Sequence, residues 1–316
     1  MLKVILPTEL ADRVEPLLPQ DITYIRVNPD GEFDGDISDA EVYFNGFKLK
    51  KTTLHKVLAA TPKIRWQHTP SAGVNHILTP AFLERDITLT NSSGVHAIPI
   101  AEFVLNFMLY HAKNVQKLQS LQAEHYWYKW FTLEELYNKT VLILGTGTIG
   151  KEIALRAKAF GLNVWGSRCN PEPLPNFDKI VGADSWQSLL PEVDYLVIAT
   201  PLTPETKNLI NASVLRSMRP TAYLINIARG AIIDEEALLT ALREGWIAGA
   251  GLDTFVTEPL PPESPLWTLP NVFVTPHNSA LTPQLYDRIV SLFLDNLNRY
   301  TTGQPLRNVV DKQIGY

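Results

Sequence analysis

Four residues carry the chemistry that this sequence can do: Arg229, Asp253, Glu258 and His277. Each follows a short apolar run: Tyr223–Ile227 before Ala228-Arg229-Gly230, Gly249–Leu252 before Asp253 and Glu258, Val272–Thr275 before Pro276-His277. Short runs of this kind, separated by helical or turn signals, read as parallel strands, and ligands of an open α/β sheet bind beyond the carboxyl ends of the strands. An arginine, two carboxylates and a histidine at successive strand ends suit proton-coupled hydride transfer to a carbonyl. Histidine titrates near neutrality and can protonate a developing alkoxide. A carboxylate beside it holds the ring and favours imidazolium. Arginine grips a carboxylate bidentately and polarises the adjoining carbonyl.

A hydride needs a carrier, and a glycine loop supplies its site. GTGTIG, Gly145 to Gly150, follows TVLIL and precedes KEIALRAKAFG, which is strand, tight turn and helix. In that context Gly145 permits the turn and Gly147 admits a pyrophosphate. Gly150 lets helix and strand pack, and the helix N-terminus offers N–H groups to the anion. Thr148, Ile149, Thr200, Pro201, Thr206, Ile227, Ala228 and Asp253 are the further candidate cofactor contacts, together with His277. The second strand of the unit ends in Ser167-Arg168, where an NAD site usually has a carboxylate for the ribose hydroxyl. Arg168 can pair with a 2′-phosphate, so the sequence favours NADP, with NAD as the alternative.

The elements that must position these residues divide the chain in two. Its 316 residues suit two domains of roughly 150 residues. In the first third the strand-like runs are Leu2–Leu6, Ile22–Val27, Glu41–Phe44, Ile64–Thr69 and Ile87–Thr90. From Thr140 six more follow: Val141–Leu144, Asn163–Trp165, Tyr195–Ala199 and the three named above. A last helix, Thr282 to Tyr300, returns the chain to the first domain. The expectation is an α/β protein of two doubly wound parallel-sheet domains. Residues 1–98 plus 283–316 form a substrate-binding domain, and residues 99–282 form an inserted dinucleotide-binding domain. Between them, Ile100 to Leu118 reads as one helix with a wide apolar face, either a core helix or a subunit interface. The aromatic stretch His125 to Phe131 reads as packing.

The net charge is −5, which argues against a broad basic face for nucleic acid or an anionic membrane. One cysteine, Cys169, allows no intrachain disulfide and fits a reducing compartment. With no signal-peptide pattern and no 18-residue apolar run, a cytoplasmic protein is expected. No HExxH or Cys/His spacing asks for a metal. Of seven histidines only His277 stands at a strand end; His68, His76 and His96 lie near first-domain loops and read as ordinary residues.

These segments resemble the D-isomer-specific 2-hydroxyacid dehydrogenase family over nearly the whole chain. LINIARGAIIDEEAL (Leu224 to Leu238), GLDTFVTEPLP (Gly251 to Pro261), VTPHNSA (Val274 to Ala280) and ATPLTPETKNLIN (Ala199 to Asn211) match characteristic family segments. The resemblance implies a flavodoxin-like substrate domain carrying a Rossmann domain. It implies Arg229 as the substrate-binding arginine, His277 as acid/base, Glu258 as its carboxylate, and Asp253 as support near the nicotinamide. HTPSAGVNHI resembles the family loop that binds the substrate carboxylate, here Ala72, Gly73 and Val74, with Asn75 where aspartate is common. Ser279-Ala280 stands where the family commonly has glycine. The Ser167-Arg168 ending is similar to NADP-preferring glyoxylate/hydroxypyruvate reductases. The resemblance further implies a homodimer through the 99–120 helix region. Rival readings are a dinucleotide-sensing corepressor-like protein and a phosphite or formate dehydrogenase on the same scaffold. Glutamate rather than glutamine at 258 counts against formate.

Overall fold

The computed structural model describes residues 1–47, 50–74 and 76–313, and for residue 51 the backbone alone. Asn75 therefore lies outside the described residues. The chain divides into two compact units, Met1–His96 with Thr282–Tyr316, and Ala97–Leu281.

The first unit holds strands β1 (Leu2–Pro7), β2 (Ile22–Val27), β3 (Val42–Phe44), β4 (Trp66–His68) and β5 (Thr88–Thr90), all five of the expected runs. They pair in parallel in the order β2-β1-β3-β4-β5, the flavodoxin-like order. Alternate side chains go to opposite faces. Val4, Leu6, Val42, Phe44 and Trp66 form one core with helix α1 (Thr8–Val14), while Ile5, Tyr43 and Leu89 form another with α2 (Lys51–Ala60) and α3 (Pro80–Leu83).

The second unit opens with α4 (Ala97–Ala112) and α5 (Val115–Ala123). Its sheet runs β6 (Thr140–Leu144), β7 (Asn163–Arg168), β8 (Lys179–Gly182), β9 (Tyr195–Ile198), β10 (Tyr223–Asn226), β11 (Gly249–Leu252) and β12 (Val272–Val274). The order β12-β11-β10-β9-β6-β7-β8 is parallel throughout and reverses direction between β6 and β9, so the ligand edge is the carboxyl ends around β6. Val141, Ile143, Val197 and Ile225 pack under α4 and α6 (Thr148–Ala159). Leu142, Leu144, Leu196 and Leu224 pack on the other face with α7 (Ala212–Ser217) and α8 (Glu235–Glu244). The last helix, α9 (Leu285–Thr301), belongs to the first unit. It buries Leu285, Ile289, Val290, Phe293 and Leu297, the spacing of one helical face. The Phe293 ring stacks on Phe44, with centroids 4.3 Å apart, and on Trp66, at 5.4 Å.

Two expectations are corrected. The sheet has seven strands, not six: β8 was missed because it is an edge strand with partly buried residues and no continuous apolar run. The helix expected over Ile100–Leu118 is two helices. Asn114, with φ 43°, takes the left-handed conformation that asparagine tolerates better than most residues, and the chain turns there. The wide apolar face is confined to α4, since only Leu121 of α5 is buried. The aromatic stretch packs on itself and not in the core: Tyr128 stacks with Tyr126 and Phe131, while Trp127 is 92% and Trp130 76% exposed.

One buried group ties the first unit's stability to pH. His68, at the end of β4, is wholly buried, and burial pushes its pKa down to about 3. Unfolding returns it to the ordinary value near 6.5, so the unfolded chain binds the extra proton between those limits. This contribution to stability is complete above pH 6.5 and is lost as pH falls toward 3. Between pH 7 and pH 5 it removes about 2 kcal/mol from the unfolding free energy. Chemical denaturation of His68→Gln at both pH values should show a pH loss smaller by that amount; an equal loss in both proteins refutes the assignment.

Candidate active site

The glycine loop joins β6 to α6. Gly145 has φ 96°, and a β-carbon there would stand 2.6 Å from the Ala199 carbonyl oxygen at the end of β9. A β-carbon on Gly150 would lie 2.2 Å from the Gly145 carbonyl oxygen, so helix and turn can meet only without one. Gly147 differs: nothing lies within 4 Å of the position its β-carbon would take. The protein itself leaves that position open, beside the exposed first residue of α6, Thr148. An open second glycine at the amino end of a twelve-residue helix fits a dinucleotide pyrophosphate. Ile149 is half-buried against the core beneath.

Beside it, β7 ends in Ser167 and Arg168. The Ser167 carbonyl accepts the Gly145 N–H (3.1 Å), and its buried hydroxyl donates to the Gly182 carbonyl (3.3 Å). Among the described residues no carboxylate pairs with Arg168, so its guanidinium is available to a ligand. After β9, Thr200 and Pro201 enter a loop closed on itself. The Thr206 hydroxyl donates to the Pro201 carbonyl (2.7 Å) and accepts the Thr203 N–H (2.7 Å).

The ends of β10, β11 and β12 stand side by side in the sheet. At the end of β10, Asn226 is fully buried; its amide donates to the Arg229 carbonyl (3.0 Å) and its Oδ1 accepts the Ala228 N–H (3.0 Å). That shapes the turn on which Arg229 is exposed, while Ile227 stays buried. No carboxylate among the described residues pairs with Arg229 either; its Nη1 donates to the Ala228 carbonyl (2.7 Å). Gly230 is obligatory, because a β-carbon would collide with the backbone of Phe255 at 1.9 Å.

Behind His277 sits Asp253, wholly buried. Its Oδ1 accepts the Thr275 hydroxyl (2.7 Å) and the Asn278 N–H (3.0 Å), and its Oδ2 accepts the Ser279 N–H (3.2 Å). Asp253 thus holds the turn that presents His277. His277 has φ 51°, a costly conformation that persists only where surrounding contacts determine it. The Ser279 donor is its backbone N–H, and Ala280 packs on the core. The His277 Nδ1 meets Glu258 Oε2 at 2.8 Å, and Glu258 Oε1 accepts the Phe255 N–H (3.0 Å). With Nδ1–H donated to the carboxylate, Nε2 is the nitrogen left for a proton transfer.

In the first unit, Ala72, Gly73 and Val74 follow β4. Among the described residues their N–H groups have no acceptor, while the Val74 side chain is buried and its carbonyl accepts the Ile77 N–H (2.8 Å). Asn226, Thr275 and Asn278 were not singled out by sequence, and Ser279 only as a departure from the glycine common in similar sequences. The one signal was a polar residue closing an apolar strand, LIN. No cluster of metal-ligating side chains occurs among the described residues.

The open position at Gly147 separates binding from folding. Gly147→Val should keep the thermal midpoint of the wild type within about 2 °C, since the added side chain meets nothing in the protein, but weaken NADPH binding at least tenfold. Gly150→Val should instead lose stability, by roughly 1–3 kcal/mol, as overpacking does. Differential scanning calorimetry and fluorescence titration read both; normal NADPH affinity in Gly147→Val would remove the loop from the site.

Residues 105–279 match the family described as D-isomer specific 2-hydroxyacid dehydrogenase, NAD binding domain. A glyoxylate reductase of Aeropyrum pernix is 36% identical over 274 residues, covering 82% of this chain and 79% of that one. One from Thermococcus kodakarensis is 34% identical over 275 residues, covering 82% and 80%. Among solved structures, a D-isomer specific 2-hydroxyacid dehydrogenase from Xanthobacter autotrophicus in complex with NADPH superposes with a TM-score of 0.87 at 28% identity, covering 100% of this chain and 99% of that one. The NADPH-dependent glyoxylate/hydroxypyruvate reductase of Sinorhizobium meliloti, with NADP and sulfate, has a TM-score of 0.86 at 26% identity, covering 99% of each. This chain belongs to the D-isomer specific 2-hydroxyacid dehydrogenase family, an oxidoreductase with an NAD-binding domain.

Proposed function

We propose that this chain interconverts a small 2-oxo acid, glyoxylate or hydroxypyruvate, and the corresponding D-2-hydroxy acid, with NADP as its preferred cofactor and NAD as the alternative. The observation that carries the reading is the Glu258–His277 hydrogen bond of 2.8 Å on the strand edge that also presents Arg229. The NADPH and NADP complexes of the Xanthobacter and Sinorhizobium relatives support the cofactor choice, as does Arg168, with which no carboxylate among the described residues pairs. A guanidinium answers a 2′-phosphate with charge-assisted bonds.

The nicotinamide, when bound, supplies or accepts the hydride. The rest is work for this chain's residues. The residue 145–150 loop holds the pyrophosphate. Arg229 binds the substrate carboxylate and polarises the carbonyl, and the N–H groups of Ala72, Gly73 and Val74 receive the carboxylate. His277 Nε2 gives its proton to the carbonyl oxygen as the alkoxide develops, and Glu258 stabilises the imidazolium before that transfer. Asp253 keeps the histidine's turn in place.

We also infer a homodimer through the 99–120 region. The proposed surface continues past that region: Tyr126, Trp127 and Trp130, just beyond α5, expose large aromatic side chains close together in sequence, as interaction surfaces do. Light scattering should give twice the chain mass, and Trp127→Ala/Trp130→Ala should shift the protein toward monomer; a monomeric wild type ends the proposal.

The functional test is a steady-state panel of glyoxylate, hydroxypyruvate, pyruvate, formate and phosphite with both cofactors. The expected result is reduction of the 2-oxo acids, with kcat/KM higher for NADPH. His277→Ala should lower kcat at least about a hundredfold while NADPH affinity holds. Turnover of phosphite or formate alone, or cofactor binding without turnover of any member, would replace this reading by one of its rivals.

A further inference from the structure

The carboxylate-binding role proposed for Ala72, Gly73 and Val74 requires their N–H groups to point at a ligand. Backbone units are rigid planes, so the direction of an N–H is set by where the neighbouring carbonyls are held. In the first unit, four consecutive carbonyls ahead of these N–H groups are all taken by one short segment. The Ser92 hydroxyl donates to the Thr69 carbonyl (2.9 Å) and the His96 Nε2–H to the Pro70 carbonyl (3.2 Å). The Ser92 N–H donates to the Ser71 carbonyl (3.1 Å) and the Asn91 amide to the Ala72 carbonyl (2.8 Å).

The segment that supplies these donors is itself held. Asn91 Oδ1 accepts the Ser93 N–H (3.1 Å), which leaves the amide nitrogen facing Ala72. Asn308, from the far end of the chain, donates to the Asn91 and Ser93 carbonyls (3.2 and 2.8 Å). Ser92 is reached through His68. Trp66 Nε1–H can only donate, and it donates to the Thr90 hydroxyl (2.8 Å). That hydroxyl then gives its proton to His68 Nδ1 (2.7 Å), so Nε2 carries the imidazole hydrogen and donates to Ser92 Oγ (3.2 Å). Ser92 passes its own hydrogen to Thr69. Every donor in this chain points the same way, from the core of the sheet to the loop, and His68, Ser92 and Thr90 are fully buried.

We propose that Asn91, Ser92 and His96, with His68 behind Ser92, are positioning residues for carboxylate recognition: they draw the carbonyls of residues 69–72 inward and so present the N–H groups of Ala72 and Gly73, which share peptide planes with the Ser71 and Ala72 carbonyls, to the acid end of the substrate. This inference rests on the functional reading above. Removing a donor leaves the loop's fold and the hydride chemistry in place but lets a carbonyl swing toward the anion.

The test measures KM for glyoxylate, KM for NADPH, kcat, and the inhibition constant of oxalate, which is a carboxylate that cannot be reduced. Ser92→Ala and Asn91→Ala should each raise the glyoxylate KM and the oxalate constant at least fivefold, with NADPH KM unchanged and kcat within threefold of wild type. Asn91→Asp should do the same, because a carboxylate cannot donate to the Ala72 carbonyl, whereas Asn91→Gln should recover part of the loss. Asn91 is the second site in case Ser92→Ala does not fold. Variants that shift kcat and both KM values together, or that leave the oxalate constant at its wild-type value, overturn the inference. A wild type that neither reduces glyoxylate nor binds oxalate overturns the functional reading, and the inference with it.

Discussion

A buried carboxylate organises the sheet edge that presents His277. Asp253 has no contact with solvent, and a charge in that position is tolerated only when hydrogen bonds replace water. Its three donors come from one five-residue segment, Thr275 to Ser279, so the ends of β11 and β12 are tied to each other rather than to the loops beyond them. His277 can hold its left-handed backbone because the residues on both sides of it are bound to the same side chain. Glu258 completes the arrangement from the front, with one oxygen on the Phe255 N–H and the other on the imidazole. The direction of the histidine ring is therefore a property of the sheet.

The same device recurs. Asn226 sits behind the Arg229 turn and holds it by a carbonyl and an N–H. Asn91 and Ser92 sit behind the loop of residues 69–72 and hold it by its carbonyls. In each case a buried polar side chain fixes the backbone of the segment that presents the outward-facing group. Backbone held this way is ordered before any ligand arrives, which reduces the ordering cost of binding.

What was legible in the sequence follows from what spacing can encode. Strands buried on both faces read as apolar runs, so five strands of the first unit and six of the second were visible, and with them the residues at their ends. The glycine loop was visible because three glycines at fixed spacing have few other uses between a strand and a helix. β8 lies at an edge and lacks that signature. The break at Asn114 rests on one backbone angle, in a stretch free of glycine and proline. The aromatic stretch after α5 read as packing, but apolar side chains carry no mark of where their partner is. His68 and His96 read as ordinary residues; their roles depend on carbonyls and hydroxyls that only the folded sheet brings near.

The first unit is assembled from both ends of the chain, and this bears on its synthesis. The face of its sheet formed by Val4, Leu6, Phe44 and Trp66 is covered by α9. Those strands leave the ribosome long before Phe293 does, with all of Ala97–Leu281 made in between. Through that interval the five strands expose an aromatic face without its lid, while the second unit has every element it needs to fold. The nascent chain is thus exposed to aggregation and to chaperones at its amino-terminal end, and its folding order runs from the middle outward.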